Sequence, residues 1–153
     1  MRRVWSPKGV RPLAEVNIKY QWLWLYAAAH PASGKVFWLI LPRLDAECVQ
    51  LFLDECAKAE AVAGKRIVLV WDGAPGHRSL KLKVPEPITL IQTPAYTPEL
   101  NPSERIWSLV KEGVANAAHE TLAELEEKVC SRCRNITLKE VSARTKYHWW
   151  MSQ

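Results

Sequence analysis

No apolar run in the 153 residues approaches the ~18 needed to cross a bilayer, and the longest, around Trp22 to Ala29, is strand-sized. The opening MRRVWSPKG is basic but has no apolar stretch behind it, which argues against a secretory signal and makes a cytoplasmic protein the expectation. No internal repeat and no low-complexity tract is present. Cysteine is sparse too. Cys130 and Cys133 form a C-x-x-C, but a structural zinc site needs a second clustered pair, and Cys48 and Cys56 lie two helical turns apart. The four read as reduced, partly buried thiols.

What is there has an ordinary globular balance, with 48% apolar and 24% charged residues. The length suits one domain and allows a buried core. Eight tryptophans argue against a chain that stays disordered. Lys and Arg outnumber Asp and Glu by 21 to 16, a net of +5, and the isoelectric point is near 9.1. Such a surplus suits a polyanionic partner. The basic residues are scattered, with Lys8 and Arg11 near the start and Arg78 and Lys81 mid-chain, so charge alone is a weak pointer.

Pro7, Gly9 and Pro12 punctuate an irregular basic loop from Trp5 to Pro12. Tyr20 to Ala29 and Lys35 to Leu41 read as strands joined by the turn His30 to Gly34, an antiparallel hairpin. Asp45 caps a helix in which Val49, Phe52, Leu53, Cys56 and Ala59 recur at helical spacing, and Gly64 stops it. The continuous apolar runs Ile67 to Trp71 and Ile88 to Gln92 suit parallel strands buried on both faces. Pro94, Pro98 and Pro102 stiffen the following loop. A helix is expected from Pro102 to about Ala118, and another from Thr121, with Glu124 completing a capping box. The segment from residue 135 to 153 has no assignment. Hairpin, helix, two strands and two helices make an α/β pattern with a mixed sheet.

Two acids stand where chemistry is performed in such folds. Asp72 follows IVLVW directly, at the carboxyl end of an expected parallel strand, where ligands bind in open α/β sheets. An Asp-Gly pair is also a common turn, which accounts for Asp72 without any function. Glu104 lies in NPSERIW. With Asn101 as N-cap and Pro102 first in the helix, Glu104 falls at the third position, from which its carboxylate reaches the Asn101 backbone N–H. Capping alone explains it, yet the same geometry projects a carboxylate from a helix held by a stiff loop. Phosphodiester cleavage with Mg²⁺ uses carboxylates that converge from different elements. His77 suits either a phosphate contact or packing beneath its loop.

Taken together, WSPKG at Trp5 to Gly9, DGAPGH at Asp72 to His77 and PAYTPELNPSERIW at Pro94 to Trp107 resemble the DDE domain of mariner-like transposases, most closely the bacterial insertion-sequence branch. The likeness covers residues Trp5 to about Val129 in the family's order. It implies a ribonuclease-H-like mixed sheet flanked by helices, residues 1–134 being a partial DDE catalytic domain. It makes Asp72 and Glu104 the second and third catalytic acids and the ligands of Mg²⁺ or Mn²⁺, with His77 and Asn101 in support. Lys8, Arg11, Arg78, Lys81 and Arg105 are then candidate DNA contacts. The implied partner is DNA, both transposon ends and target, with pairing either as a homodimer or to an intact transposase and with no membrane role. The thirty-one residues between Asp72 and Glu104 are fewer than the family usually has.

One departure matters more. The family's first Asp lies on a central strand upstream of the W-x-P-K-G motif, and the four residues before Trp5 include no acid. The two-ion site is therefore expected to be incomplete and DNA nicking and strand transfer impaired. The alternatives are a non-catalytic fragment that binds DNA or regulates a transposase, and a remnant with no role. Without the central strand, two apolar strands lack a ladder partner, and unpaired buried backbone groups are costly. Marginal stability, repair by a partner chain, or direct pairing of the hairpin with the Asp72 strand are the expected ways out.

Overall fold

The continuous apolar runs WLYAAA and VFWLIL give two pleated strands, and a glycine lets the chain reverse between them. The computed structural model describes residues 7–10, 21–59, 64–73, 81–115 and 119–146. Strand β1 (Trp24–Ala29) pairs antiparallel with β2 (Val36–Leu41), in register from Trp24↔Leu41 to Ala29↔Val36. Residues 21–23 are irregular and Lys35 precedes β2, so both strands are shorter than their sequence patterns; Tyr20 lies outside the described residues. In the turn, Gly34 donates to the His30 carbonyl at 2.9 Å with φ +72°, the left-handed region that glycine alone enters freely. A Cβ at Gly34 would overlap the Leu138 carbonyl.

Asp45 caps helix α1 (Ala46–Lys58) as expected, accepting the Cys48 N–H at 2.9 Å. Val49, Phe52, Leu53 and Cys56 form its buried stripe. That stripe touches two sheets at once. Tyr26 and Phe37 of the hairpin pack on the Phe52 ring at 5.5 and 5.4 Å between centroids. The second sheet, β3 (Ile67–Trp71) parallel to β4 (Ile88–Gln92), contributes Ile67, Leu69, Ile88 and Leu90 to the same core. The Gln50 amide also exchanges hydrogen bonds of 2.8 and 2.7 Å with the backbone of Lys83, tying α1 to the lead into β4.

One of the three expected ways out, and the expected burial of β3, are not met here. Among the described residues the hairpin does not pair with the Asp72 strand; each sheet has two strands. Nor is β3 buried on both faces: none of its residues is fully buried, and Val68 is 62% exposed. A parallel strand is buried when it has neighbours on both edges and cover on both faces. Here β3 has β4 on one edge and α1 on one face.

The other face of the hairpin is covered by α2 (Ser103–Val114) and α4 (Leu138–Thr145), and α3 (Leu122–Asn135) packs against α2. Ile106, Leu109 and Val141 form a core that takes in Ala27, Ala29, Val36 and Trp38. Helix α2 ends at Val114, short of the expected Ala118, and residues 116–118 lie outside the described residues. At α3 the expected capping box is half-formed. Thr121 accepts the Glu124 N–H at 3.2 Å, but the Glu124 carboxylate takes the Glu120 N–H instead. A complete box, Thr137 with Glu140, starts α4 within the segment that carries no sequence assignment. Arg132 donates to the Leu109 carbonyl at 2.8 Å and lies 3.9 and 4.0 Å from Glu112 and Glu140, so one side chain links three helices.

The α/β expectation holds as small sheets flanked by four helices. All four cysteines are unpaired thiols. Burial pushes Cys56 up, and burial with the neighbouring Cys130 pushes Cys133 to about 11, which keeps both protonated and poorly nucleophilic. No helix among the described residues is long and apolar enough to cross a membrane.

Gly34→Ala is expected to destabilise the protein by about 1–2 kcal/mol from the left-handed backbone alone, and by more once the Leu138 contact has to open. Urea unfolding measures it, and an unchanged midpoint would contradict the role given to this glycine. Thr137→Ala should cost about 1 kcal/mol as a lost N-cap. The Glu140 carboxyl is held below its usual range by hydrogen bonds from the Thr137 backbone and hydroxyl. Its contribution is therefore full above the ordinary Glu range and disappears as pH falls through the lowered value. The melting-temperature gap between wild type and Glu140→Gln should accordingly narrow on acidification; a gap that widens would reverse the sign.

Candidate metal and nucleic-acid site

The carboxyl end of β3 is pinned before the chain leaves the sheet. Thr93, which follows β4, donates both its N–H (2.9 Å) and its hydroxyl (3.3 Å) to the Trp71 carbonyl. Asp72 is the next residue and is half-buried. From Thr93 the loop is braced internally. Thr97 donates its hydroxyl to the Pro94 carbonyl at 2.7 Å, and a short 3₁₀ turn spans Pro98–Leu100. Asn101 then accepts the Ser103 N–H on its side chain at 3.0 Å and the Glu104 N–H on its carbonyl at 3.1 Å. A chain of bonds thus runs from the end of β3 to the first turn of α2.

Helix α2 begins at Ser103, one residue later than the sequence pattern suggests. The predicted bond from the Glu104 carboxylate back to the Asn101 N–H does not form. Asn101 satisfies the helix start through Ser103, and among the described residues the exposed Glu104 carboxylate accepts no hydrogen bond. Capping therefore does not occupy Glu104. Its carboxylate is left available to a ligand.

Asp72, Asn101 and Glu104 all line one cavity of about 1030 Å³. Trp107, one helical turn after Glu104, stands in the same wall and meets Trp38 edge-on at 6.4 Å. Among the described residues no three His, Cys, Asp or Glu cluster in a way that suits a metal ion. Asp72 and Glu104 are hard oxygen donors of the kind Mg²⁺ prefers, and Mg²⁺ binds through one or two carboxylates with substrate phosphate completing its shell. The pair fits one such ion in its donor chemistry and falls short of a two-ion cage.

The remaining predicted residues are dispersed. Lys8 is exposed on a turn closed by the Val10 N–H to the Pro7 carbonyl at 3.0 Å. Lys81 is exposed ahead of β4, and Arg105 is exposed beside Glu104. His77, Arg11 and Arg78 lie outside the described residues. One residue escapes sequence reasoning altogether. Tyr96 is fully exposed, and among the described residues it alone has a positive φ, +61°, without being glycine. A left-handed backbone at a bulky residue costs roughly 1–2 kcal/mol, and such strain gathers at functional sites. Nothing in the string PAYTP signals it except the proline punctuation.

Residues 1–126 match the family described as DDE superfamily endonuclease. Over 91 residues the chain is 38% identical to the uncharacterized protein y4pE/y4sA of Sinorhizobium fredii, a stretch covering 60% of this chain and 67% of that relative. No solved structure matches. The family match spans the hairpin, α1, both parallel strands, the braced loop and α2, and so includes Asp72 and Glu104. By that match, the chain belongs to the DDE superfamily of endonucleases.

Proposed function

We propose that this chain is the catalytic domain of a transposase, built on a ribonuclease-H-like plan, that nicks DNA and transfers strands with Mg²⁺ or Mn²⁺ and works below full capacity. The observation that carries the proposal is the shared cavity of Asp72 and Glu104, one from a strand end and one from a helix start. A hairpin beside a parallel strand pair, with α1 on one face and α2 and α4 on the other, supports the plan. Asp72 and Glu104 would hold the cation, which when bound supplies positive charge to a phosphodiester oxygen. The chain's own contributions are to orient the DNA. Arg105 stands beside Glu104 to take a phosphate, Lys8 and Lys81 extend the positive surface, and Tyr96 presents an aromatic face to an unstacked base. His77 and Arg78 lie outside the described residues and keep only the supporting and DNA-contact roles that the family resemblance implies. Such a protein works on chromosomal DNA in the bacterial cytoplasm, as a homodimer or alongside an intact transposase.

A non-catalytic role in DNA binding or transposase regulation is the second proposal. It is favoured by the lack of a three-acid cluster among the described residues and by the net charge of +5.

Incubation of supercoiled plasmid with the purified chain separates the two. The catalytic proposal expects nicking that needs Mg²⁺ or Mn²⁺, stops with EDTA, and falls to background in Asp72→Asn and in Glu104→Gln. Nicking that survives both substitutions would overturn it. The binding proposal expects EDTA-insensitive association that weakens with salt, with a log–log slope of about −0.9 per phosphate contacted. Arg105→Ala should then lower that slope by about one.

A further inference from the structure

We propose that Cys130 and Cys133 of α3 hold one soft, thiophilic monovalent cation, Cu(I) in type, in line between their two sulfurs in a cleft between α3 and the hairpin. The cleft has a volume of about 380 Å³. Trp38 and Ile40 of the hairpin line one side, and Glu126, Cys130, Cys133 and Arg134 of α3 line the other. None of these α3 residues borders the cavity of Asp72 and Glu104. Both thiols are half-buried and stand one helical turn apart on the same side of α3. Cys48 and Cys56, by contrast, are buried in the stripe of α1.

Spacing decides what such a pair can do. Helical residues three apart have Cβ atoms about 5–6 Å from each other. A disulfide needs Cβ atoms about 3.5–4.5 Å apart, so closing one here would distort the turn. Two metal–thiolate bonds of about 2.3 Å laid end to end separate the sulfurs by ~4.6 Å, within reach of side chains at the helical spacing. A bridging ion is therefore favoured over a sulfur–sulfur bond. Donor number then selects the ion. Structural Zn²⁺ takes four ligands, and among the described residues no group of three His, Cys, Asp or Glu is placed to hold a metal. Mg²⁺ and Ca²⁺ take oxygen donors. A pair of soft sulfurs with no further donors suits Cu(I).

The surroundings agree with that choice. Two thiolates around one monovalent cation leave a single negative charge. Arg134 donates its Nε–H to the Cys130 carbonyl at 3.3 Å, which keeps a guanidinium beside the pair to offset it. Arg132 also favours the charged form of Cys133. The apolar wall of Trp38 and Ile40 offers no hard oxygen donors, as suits an ion that needs few ligands. On binding, each S–H bond breaks, its proton passes to solvent, and the sulfur electron pair forms the bond to the metal. No oxidant or reductant is consumed.

The test is independent of any nuclease activity. The full chain, reduced and free of oxygen, is titrated with Cu(I) against a chromogenic Cu(I) chelator, and its melting temperature is followed. One ion per chain is expected, with a rise in melting temperature at the first equivalent, because an ion that bridges two residues of the folded helix favours the folded form. Cys130→Ser and Cys133→Ser should each weaken binding by a hundredfold or more and remove the rise, while Cys48→Ala, away from the cleft, keeps it. Binding without any rise would mean that the unfolded chain captures the ion as readily, an adventitious thiol affinity only, and would overturn the site. So would binding that survives both serine substitutions, or an equal rise with Zn²⁺. A Cys130–Cys133 disulfide formed on mild oxidation with no loss of helix would overturn the spacing argument on which the choice of an ion rests.

Discussion

The apolar stripe of α1 is the constraint from which the rest of the structure follows. Phe52 packs against Tyr26 and Phe37 of the hairpin, while the same core reaches Ile67, Leu69 and Ile88 of the parallel pair. Ordinarily strands in an α/β layer hold each other through their ladders and helices cover the result. Among the described residues the two sheets share no ladder, and the helix carries their relation. Each fully buried apolar side chain in that stripe is worth about 1.5–3 kcal/mol. Leu53, wholly inaccessible to solvent, and Val49, nearly so, matter more to the architecture than any ion pair on the surface. The reciprocal bonds between Gln50 and Lys83 add direction to what is otherwise non-directional packing.

How far the sequence could be read depended on whether a feature was local. The hairpin was legible because two apolar, aromatic-rich runs on either side of a short glycine turn are a local signal, and α1 because Asp45 caps it and its stripe has helical period. Helix α4 was not. Its eight residues present Val141 as their one fully buried apolar side chain, too little periodicity to register. Tertiary contacts hold it: Leu138 against Gly34, and Arg144 reaching Ser108 at 2.9 Å. The burial of β3 was misjudged for a related reason. An apolar run reports what a strand's side chains are suited to, and cannot report whether its neighbours are in place. Asp72 and Glu104 were legible as candidates from their places after a strand and before a helix. Their sharing of a cavity was not, because the Thr93–Trp71 bonds that fix the geometry are invisible in a string of letters. Tyr96 escaped entirely, since nothing in the letters around it marks a positive φ.

The basic surplus reads differently once partners are known. Arg132 lies 3.9 and 4.0 Å from Glu112 and Glu140, Arg144 lies 3.8 Å from Glu112, and both brace the helices. Such charges hold structure together and contribute less to the field that a polyanion meets. Arg105 is different in position, in the first turn of α2 beside a carboxylate that the cap does not use. On the proposed reading, phosphate and cation recognition would fall to adjacent residues of one turn. That is an economical arrangement for a phosphodiester, because the charge that attracts the backbone and the charge that polarises it are set by the same helix start.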